Sequence, residues 1–363
     1  MTDKTDILII GGGISGLLTA RELALAGCQV TVLERKALGR ESSWAGGGIL
    51  LPIYPWRQPA AISELVVRSI SRYPQLNAEL LAATGIDPEW SRCGMLICKN
   101  PDRDAAISWC QHYGVAYHCA APQPLAAIHS EYQQPLWLPE IAQIRNPRLL
   151  KSLTAYLRQI GVRFVENAEI EQIRLSGNRL TSLTTREQTF HFQQLVITAG
   201  AWTAALLDSL LPNHATDLPV RPVKGQMLLF AAQPDTLNTM VLDGDQYLIP
   251  RRDGKILAGS TVEDAGFDKT TTAAAHQQLY DFAVNLLPAL KAYPVETHWA
   301  GLRPGSPQGV PTIGLHPEIS NLAINVGHFR NGLVMGPASA RLLADLLLQR
   351  APELDPQAYA WRV

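Results

Sequence analysis

Residues 7–10 form a short unbroken apolar run, the pattern of a strand buried on both faces, and apolar residues then recur with helical spacing at Leu17, Leu18, Ala20 and Ala24. Gly27 is placed to end that helix, and residues 29–33 supply a second β-rich run that leads into Glu34. Helical spacing returns over residues 62–81 through Leu65, Ile70, Leu76 and Leu80, with Ser63 placed as its N-cap and Pro74 as a break. From Gly94 to Pro147 the pattern changes to short β runs such as 95–98, a helix over 102–113 and a proline-rich segment, which reads as the first half of an inserted domain. Asn146-Pro147 is an N-cap and first-turn pair for a helix through Leu149, Leu150, Leu153 and Leu157 that ends at Gly161.

Runs at 162–165, 168–175, 180–185 and 189–191 then read as a small antiparallel meander, and 195–202 as a buried strand returning to the first domain. Further strands are expected at 220–230, 240–242, 247–250, 255–258 and 295–302, with a threonine-capped helix over 272–287 covering that sheet. Residues 306–316 read as turns. A strand at 322–326 and a buried helix over 333–348 close the chain.

The first strand and helix meet at Gly11-x-Gly13-x-x-Gly16, and Glu34 lies 18 positions beyond Gly16. Gly11 permits a tight turn, Gly13 lets the backbone approach a pyrophosphate, and Gly16 lets helix and strand pack closely; the free N–H groups at the helix start then face the anion. Glu34 would accept hydrogen bonds from ribose hydroxyls and repel a 2′-phosphate, which disfavours NADP, although Arg35 beside it softens that argument. A lone glycine motif is as often a plain turn; here strand, helix, closing glycine, second strand and acid stand in the required order. Residues 39–49, rich in glycine and hydroxyls, can bring N–H groups and the hydroxyls of Ser42 and Ser43 to an anion or a flat ring, the competing reading being a surface loop.

With 363 residues, 47% of them hydrophobic, the chain is neither disordered nor fibrous and can hold two domains. Its net charge of −1, from 31 basic and 32 acidic residues, leaves no electrostatic footprint for nucleic acid beyond short pairs such as Arg251-Arg252. Five cysteines without CxxC spacing point to reduced thiols in the cytoplasm and to no metal site. Met1 to Asp6 is polar, and charges at Arg341, Asp345 and Arg350 interrupt the last apolar helix, so neither a signal peptide nor a stable membrane insertion is expected.

Together these pieces resemble the D-amino acid oxidase family of FAD-dependent amine oxidoreductases, and within it the glycine oxidases of thiamine biosynthesis. The selective motifs are Trp299-Ala300-Gly301-Leu302-Arg303-Pro304 and Gly327-His328-Phe329-Arg330-Asn331-Gly332, supported by Lys224-Gly225-Gln226, Tyr247-Leu248-Ile249-Pro250 and Thr198-Ala199-Gly200-Ala201-Trp202. The fold implied is α/β: a Rossmann-like FAD-binding domain, discontinuous over 1–85, 147–217 and 303–363, with an α+β substrate domain on an antiparallel sheet over 86–146 and 218–302. The resemblance implies FAD, with Gly11, Gly13, Ile14, Ser15 and Gly16 at the pyrophosphate and Glu34 and Arg35 at the adenosine. Ser42, Ser43, Gly46, Gly47, Gly48 and Ile49 would line pyrophosphate and flavin, Ile170 would meet the adenine, and Ala199 and Gly200 belong to the same set. Gly327, His328, Arg330, Asn331, Gly332 and Leu333 would bring a positive helix end to the flavin.

On the substrate side the resemblance implies that Arg303 and Tyr247 grip a carboxylate, with Arg330 as a second positive group. Without it, an arginine at a strand end is an ordinary surface residue and a tyrosine in a β run ordinary packing. The implied reaction is hydride transfer from a small amine such as glycine, sarcosine or a small D-amino acid to FAD and then to oxygen, with no acid or base on the protein. His328 is open between base and packing residue, packing being the better reading. Trp44, Ile49 and Val262 depart from the family pattern and put the pocket shape in question. No cysteine follows Cys119, so FAD is expected to be non-covalent. The alternatives are a D-amino acid dehydrogenase feeding a quinone or other carrier, a tRNA-modifying flavoenzyme, for which the basic surface is missing, and a binding scaffold without turnover. A homo-oligomer is left open.

Overall fold

A computed structural model describes residues 3–122, 128–212 and 218–361. The opening unit is β1 (Asp3–Ile10), α1 (Ile14–Leu25) and β2 (Val30–Leu33), with Gly27 at φ 90° just beyond α1. A one-turn helix α2 (Ser42–Ala45) lies inside the glycine- and hydroxyl-rich segment, before α3 (Ala60–Ile70) and α4 (Tyr73–Thr84). Pro74 stands in the first turn of α4, where the break is expected. Ser63 does not cap α3: it is buried within the helix and accepts a hydrogen bond from Trp109 Nε1 at 2.9 Å.

Next come β3 (Ser91–Arg92), β4 (Met95–Ile97), α5 (Arg103–Tyr113), β5 (Leu136–Leu138), β6 (Ala142–Gln143) and α6 (Asn146–Gln159). β7 (Arg163–Val165), β8 (Ile170–Ser176), β9 (Arg179–Thr185), β10 (Thr189–Ile197) and α7 (Thr203–Leu210) follow. The second half holds β11 (Arg221–Phe230), β12 (Met240–Asp243), β13 (Gln246–Pro250), β14 (Ile256–Gly259), α8 (Ala273–Leu286) and β15 (Val295–Gly305). It ends with β16 (Thr312–Leu315), β17 (Leu322–Val326) and α9 (Gly332–Leu347).

One sheet has the order β16-β17-β10-β1-β2-β7, parallel except for β16, with β8 and β9 attached through β10. Ile7 and Ile9 of β1 pack into the layer formed with α1, α3, α4, α6 and α9, while Leu8 and Ile10 pack into the opposite layer with α7, as a strand buried on both faces requires. Three strand expectations are corrected here. Residues 189–191 and 195–197 belong to one strand, β10, whose start pairs with β9 and whose length pairs with β1. The polar interruption is only the outward side of an alternation, Gln193 reaching Asp6 at 2.9 Å. β7 joins β2 instead of the meander. Finally, β16 lies in the stretch that reads as turns, because pairing with β17 rather than local propensity makes it a strand.

The second sheet has the order β15-β11-β14-β13-β12-β4-β5, antiparallel except where β4 lies beside β12. α8 covers one face of it, and the Thr272 hydroxyl caps that helix as expected, accepting from Ala275 N at 3.3 Å. We propose the domain division 1–85, 147–217 and 303–363 against 86–146 and 218–302, supported by the assignment of strands to the two sheets except at 302/303, where β15 continues in the second sheet to Gly305; the 146/147 boundary falls at the first residue of α6, and the 217/218 boundary and the chain ends lie outside the described residues. Among the described residues no helix is long and apolar enough to cross a membrane.

Candidate active site

At the C-terminal ends of β1, β2, β10 and β17 opens a cleft of about 660 Å³ whose wall is completed by the second sheet. Gly11 stands at φ 109°, and a Cβ there would overlap the Thr198 carbonyl. A Cβ on Gly16 would overlap the Gly11 carbonyl, so Gly16 acts beneath the cleft, whereas Gly13, Ile14 and Ser15 line it. The Ile14 N–H is not free as expected: it donates to Ser43 Oγ at 2.9 Å. The Ser43 hydroxyl thereby tops α1 and keeps its own proton to offer an anion.

Glu34 is held by backbone. Its Oε2 accepts from Gly12 N at 2.9 Å and its Oε1 from Lys36 N at 3.0 Å, which leaves each oxygen a lone pair for a ribose hydroxyl. Ile170 is brought near by Ala168, whose N–H donates to the Glu34 carbonyl at 2.9 Å. The Arg35 guanidinium lies 4.8 Å from the centroid of the Trp202 ring, which stacks on Phe267 at 5.6 Å. Trp202 lines the cleft with Ala199 and Gly200 and can offer a ring to a base, a role the sequence reading did not give it.

The second glycine segment is braced from outside. Gly48 stands at φ 83°, where a Cβ would overlap the Ile144 carbonyl, and Ile144 N donates to the Gly48 carbonyl at 2.9 Å. The Gly47 carbonyl accepts from Arg251 Nη2 at 2.7 Å. Arg251, read from the sequence as half of a basic pair, is buried; it also holds Gln143 Oε1 at 2.5 Å, and burial pushes its pKa down to about 10. Its neighbour Arg252 is exposed and pairs with Asp87 at 2.6 Å. Asn146 does not cap α6 with its side chain, because it already lies inside the helix; its Nδ2 donates to the Ser43 carbonyl at 2.7 Å and it lines the cleft. Nothing local distinguishes Asn146 or Arg251 in the sequence, since each acts on a segment over 100 positions away.

The substrate end follows from strand alternation. On β15, Trp299, Gly301 and Arg303 share one face, opposite Met227, Gly225 and Val223 of β11. Trp299 Nε1 donates to the Ala45 carbonyl at 3.0 Å, Gly301 makes room for Ala45, and Gly225 makes room for the Arg303 guanidinium. That guanidinium donates to Ser260 Oγ at 2.8 Å and to the Lys224 and Thr261 carbonyls, each at 3.2 Å. Burial pulls its pKa down to about 10, against the pull of Tyr247, with Arg330 adding to the fall. Tyr247, Arg303 and Arg330 line one cleft.

His328, Arg330, Asn331, Gly332 and Leu333 line the same cleft at the start of α9, while Gly327, at φ 78°, lies behind it. Burial lowers His328 to about 4, so this imidazole is neutral near neutral pH. Of the three departures from the family pattern, only Ile49 lines the cleft. Trp44 packs edge-on against Trp299 at 5.9 Å, and Val262 is exposed.

A flavin dinucleotide fits this wall. Buried polar atoms without a partner among the described residues stand on its lining at Asn146 Oδ1, Asn325 Oδ1, His328 Nε2 and Arg330 Nη2, beside glycine turns with no room for a side chain. A parallel nucleotide-binding sheet and an antiparallel sheet that turns an arginine and a tyrosine into the same cleft define a flavin-dependent oxidoreductase.

Comparison with known proteins gives the same class. The family profile described as "DAO: FAD dependent oxidoreductase" matches residues 6–346. Glycine oxidase of Pseudomonas aeruginosa is 44% identical over 359 residues, covering 98% of both chains. The bifunctional protein ThiO/ThiG of Synechocystis is 31% identical over 99% of this chain and 54% of its own length. The crystal structure of glycine oxidase from Geobacillus kaustophilus superposes with a TM-score of 0.91 at 26% identity, covering 99% and 98% of the two chains. The chain belongs to the DAO family of FAD-dependent oxidoreductases, and its cofactor is FAD.

Proposed function

We propose that this protein oxidises glycine and related small amines, such as sarcosine and small D-amino acids, and that the reaction serves thiamine biosynthesis in the cytoplasm. The observation that carries the reading is Arg303: a part-buried guanidinium whose hydrogen bonds, among the described residues, go to neutral acceptors, beside Tyr247, in the FAD cleft. Such a charge lacks a carboxylate, which an amino acid supplies. Arg303 and Tyr247 fix the acid group and so orient the Cα–H bond. Ser43, Asn146 and the glycine turns hold the dinucleotide, Glu34 its ribose, and the start of α9 favours negative charge beside Arg330. Bound FAD would supply the acceptor for the Cα hydride and the route of both electrons to oxygen, with hydrogen peroxide as the product. Water then hydrolyses the released imine to an oxo acid and ammonia or an amine. Neutral, buried His328 is a poor proton acceptor, so the amine is bound in its neutral form, its proton left to the bulk solvent and buffer before binding.

None of the five cysteines lines the cleft, which supports non-covalent FAD. The test is an amine panel on the holoprotein, reading peroxide, oxygen uptake and flavin absorbance together. Peroxide formed with glycine is the expected result. Bleaching without peroxide would make the protein a dehydrogenase feeding a carrier, and no bleaching by any amine would overturn the proposal.

A further inference from the structure

We infer that Glu263, on the face of the second sheet turned away from the cleft, sets the position of the Arg303 guanidinium. The inference rests on the reading of Arg303 as a carboxylate anchor. Two of the three groups that hold this guanidinium, Ser260 Oγ and the Thr261 carbonyl, belong to the segment just beyond β14, which is in no strand. What fixes that segment therefore fixes the anchor.

The fixing contacts converge on Glu263. Its backbone N–H and carbonyl exchange hydrogen bonds with Lys224, both at 2.9 Å. Its carboxylate accepts from Gln226 Nε2 at 2.8 and 3.1 Å and from the Thr261 hydroxyl, and pairs with Lys224 Nζ at 3.6 Å. Because the Thr261 proton goes to Glu263, its oxygen is turned to accept from Gln226 N at 2.9 Å. Gln226 Oε1 also accepts from Thr272 N at 3.0 Å, which ties the segment to the start of α8. Gly225 and Met227 line the cleft while Lys224 and Gln226 alternate to the other face, so Glu263 lies off the cleft lining and acts on Arg303 through the sheet, its charge also favouring the charged guanidinium.

Charge matters as well as shape. Lys224 is only 2% exposed, and its other acid, Asp268, lies 3.7 Å away and half-exposed. Burial opposes ionisation of Glu263, yet the Thr261 and Gln226 hydrogen bonds and the Lys224 ammonium hold its carboxyl below the usual range. A neutral side chain at 263 would leave a buried ammonium under-compensated and loosen Thr261, and a fork that recognises a carboxylate tolerates little displacement.

The experiment is a double-mutant cycle on the holoprotein with acetate, an amine-free carboxylate, titrated against flavin absorbance. Glu263→Gln should raise the acetate Kd and the glycine KM about tenfold, the effect of one lost hydrogen bond to a charged group, with a smaller change in kcat. Glu263→Asp should recover most of the loss. In an Arg303→Ala background the same substitution should change nothing further. An unchanged acetate Kd in Glu263→Gln, or an equal change with and without Arg303, overturns the inference. Should Glu263→Gln shed FAD, the cycle is run with Glu263→Asp, whose smaller shift must likewise vanish without Arg303. Acetate binding requires no turnover, so the outcomes separate: indifference of acetate to Arg303→Ala refutes the anchor itself, while sensitivity to Arg303 and not to Glu263 refutes only this step.

Discussion

Arg303→Ala is the sharpest test of the site. A guanidinium has five N–H donors, and the Ser260, Lys224 and Thr261 contacts commit three of them, leaving two for a carboxylate. At about 1.5 kcal/mol for each hydrogen bond to a charged group, the variant loses about 3 kcal/mol, or about two orders of magnitude in affinity. None of the groups that receive these hydrogen bonds belongs to the glycine turns or to the start of α9, so FAD should stay bound. The assay is an acetate titration followed by flavin absorbance, run beside glycine kinetics. Because burial brings Arg303 to about 10, acetate affinity in the parent should hold below that pH and fall as pH rises through it. A variant that keeps FAD and binds acetate within about threefold of the parent, well short of the loss expected for a buried charged partner, would refute the assignment.

Two further outcomes test the rest of the cleft. Ser43→Ala removes the acceptor of the Ile14 N–H and should weaken FAD binding about fivefold, from the usual cap cost of about 1 kcal/mol, in a fluorescence titration of apoprotein; an unchanged Kd would remove Ser43 from the site. His328 titrates at about 4 in the native protein against 6.5 when unfolded, so the unfolded chain binds more protons between those values. Stability should therefore fall as pH drops through that window, by up to about 3 kcal/mol for this group, and His328→Asn should show a shallower dependence of melting temperature on pH. Parallel curves for the two proteins would refute it.

What the sequence determined by itself is what neighbours along the chain decide. The run at 7–10, the glycine turn, the closing Gly27 and Glu34 are one local unit, and alternation on 299–303 puts Trp299, Gly301 and Arg303 on one face once a strand is granted. Tertiary structure decided the rest. Ser43 tops α1 across 29 positions, Asn146 reaches Ser43 across 103 and Arg251 reaches Gly47 across 204, and no periodicity carries such information. It also turned Ser63 and Asn146 from caps into buried donors and acceptors, made 312–315 a strand by giving it β17 as a partner, and gave Trp44, off the cleft lining, Trp299 to pack on. Proline apart, local propensities differ by no more than about 1 kcal/mol per residue, so a partner that buries a side chain or satisfies a backbone group outweighs them, and which partner arrives is settled only when the two sheets close on the cleft.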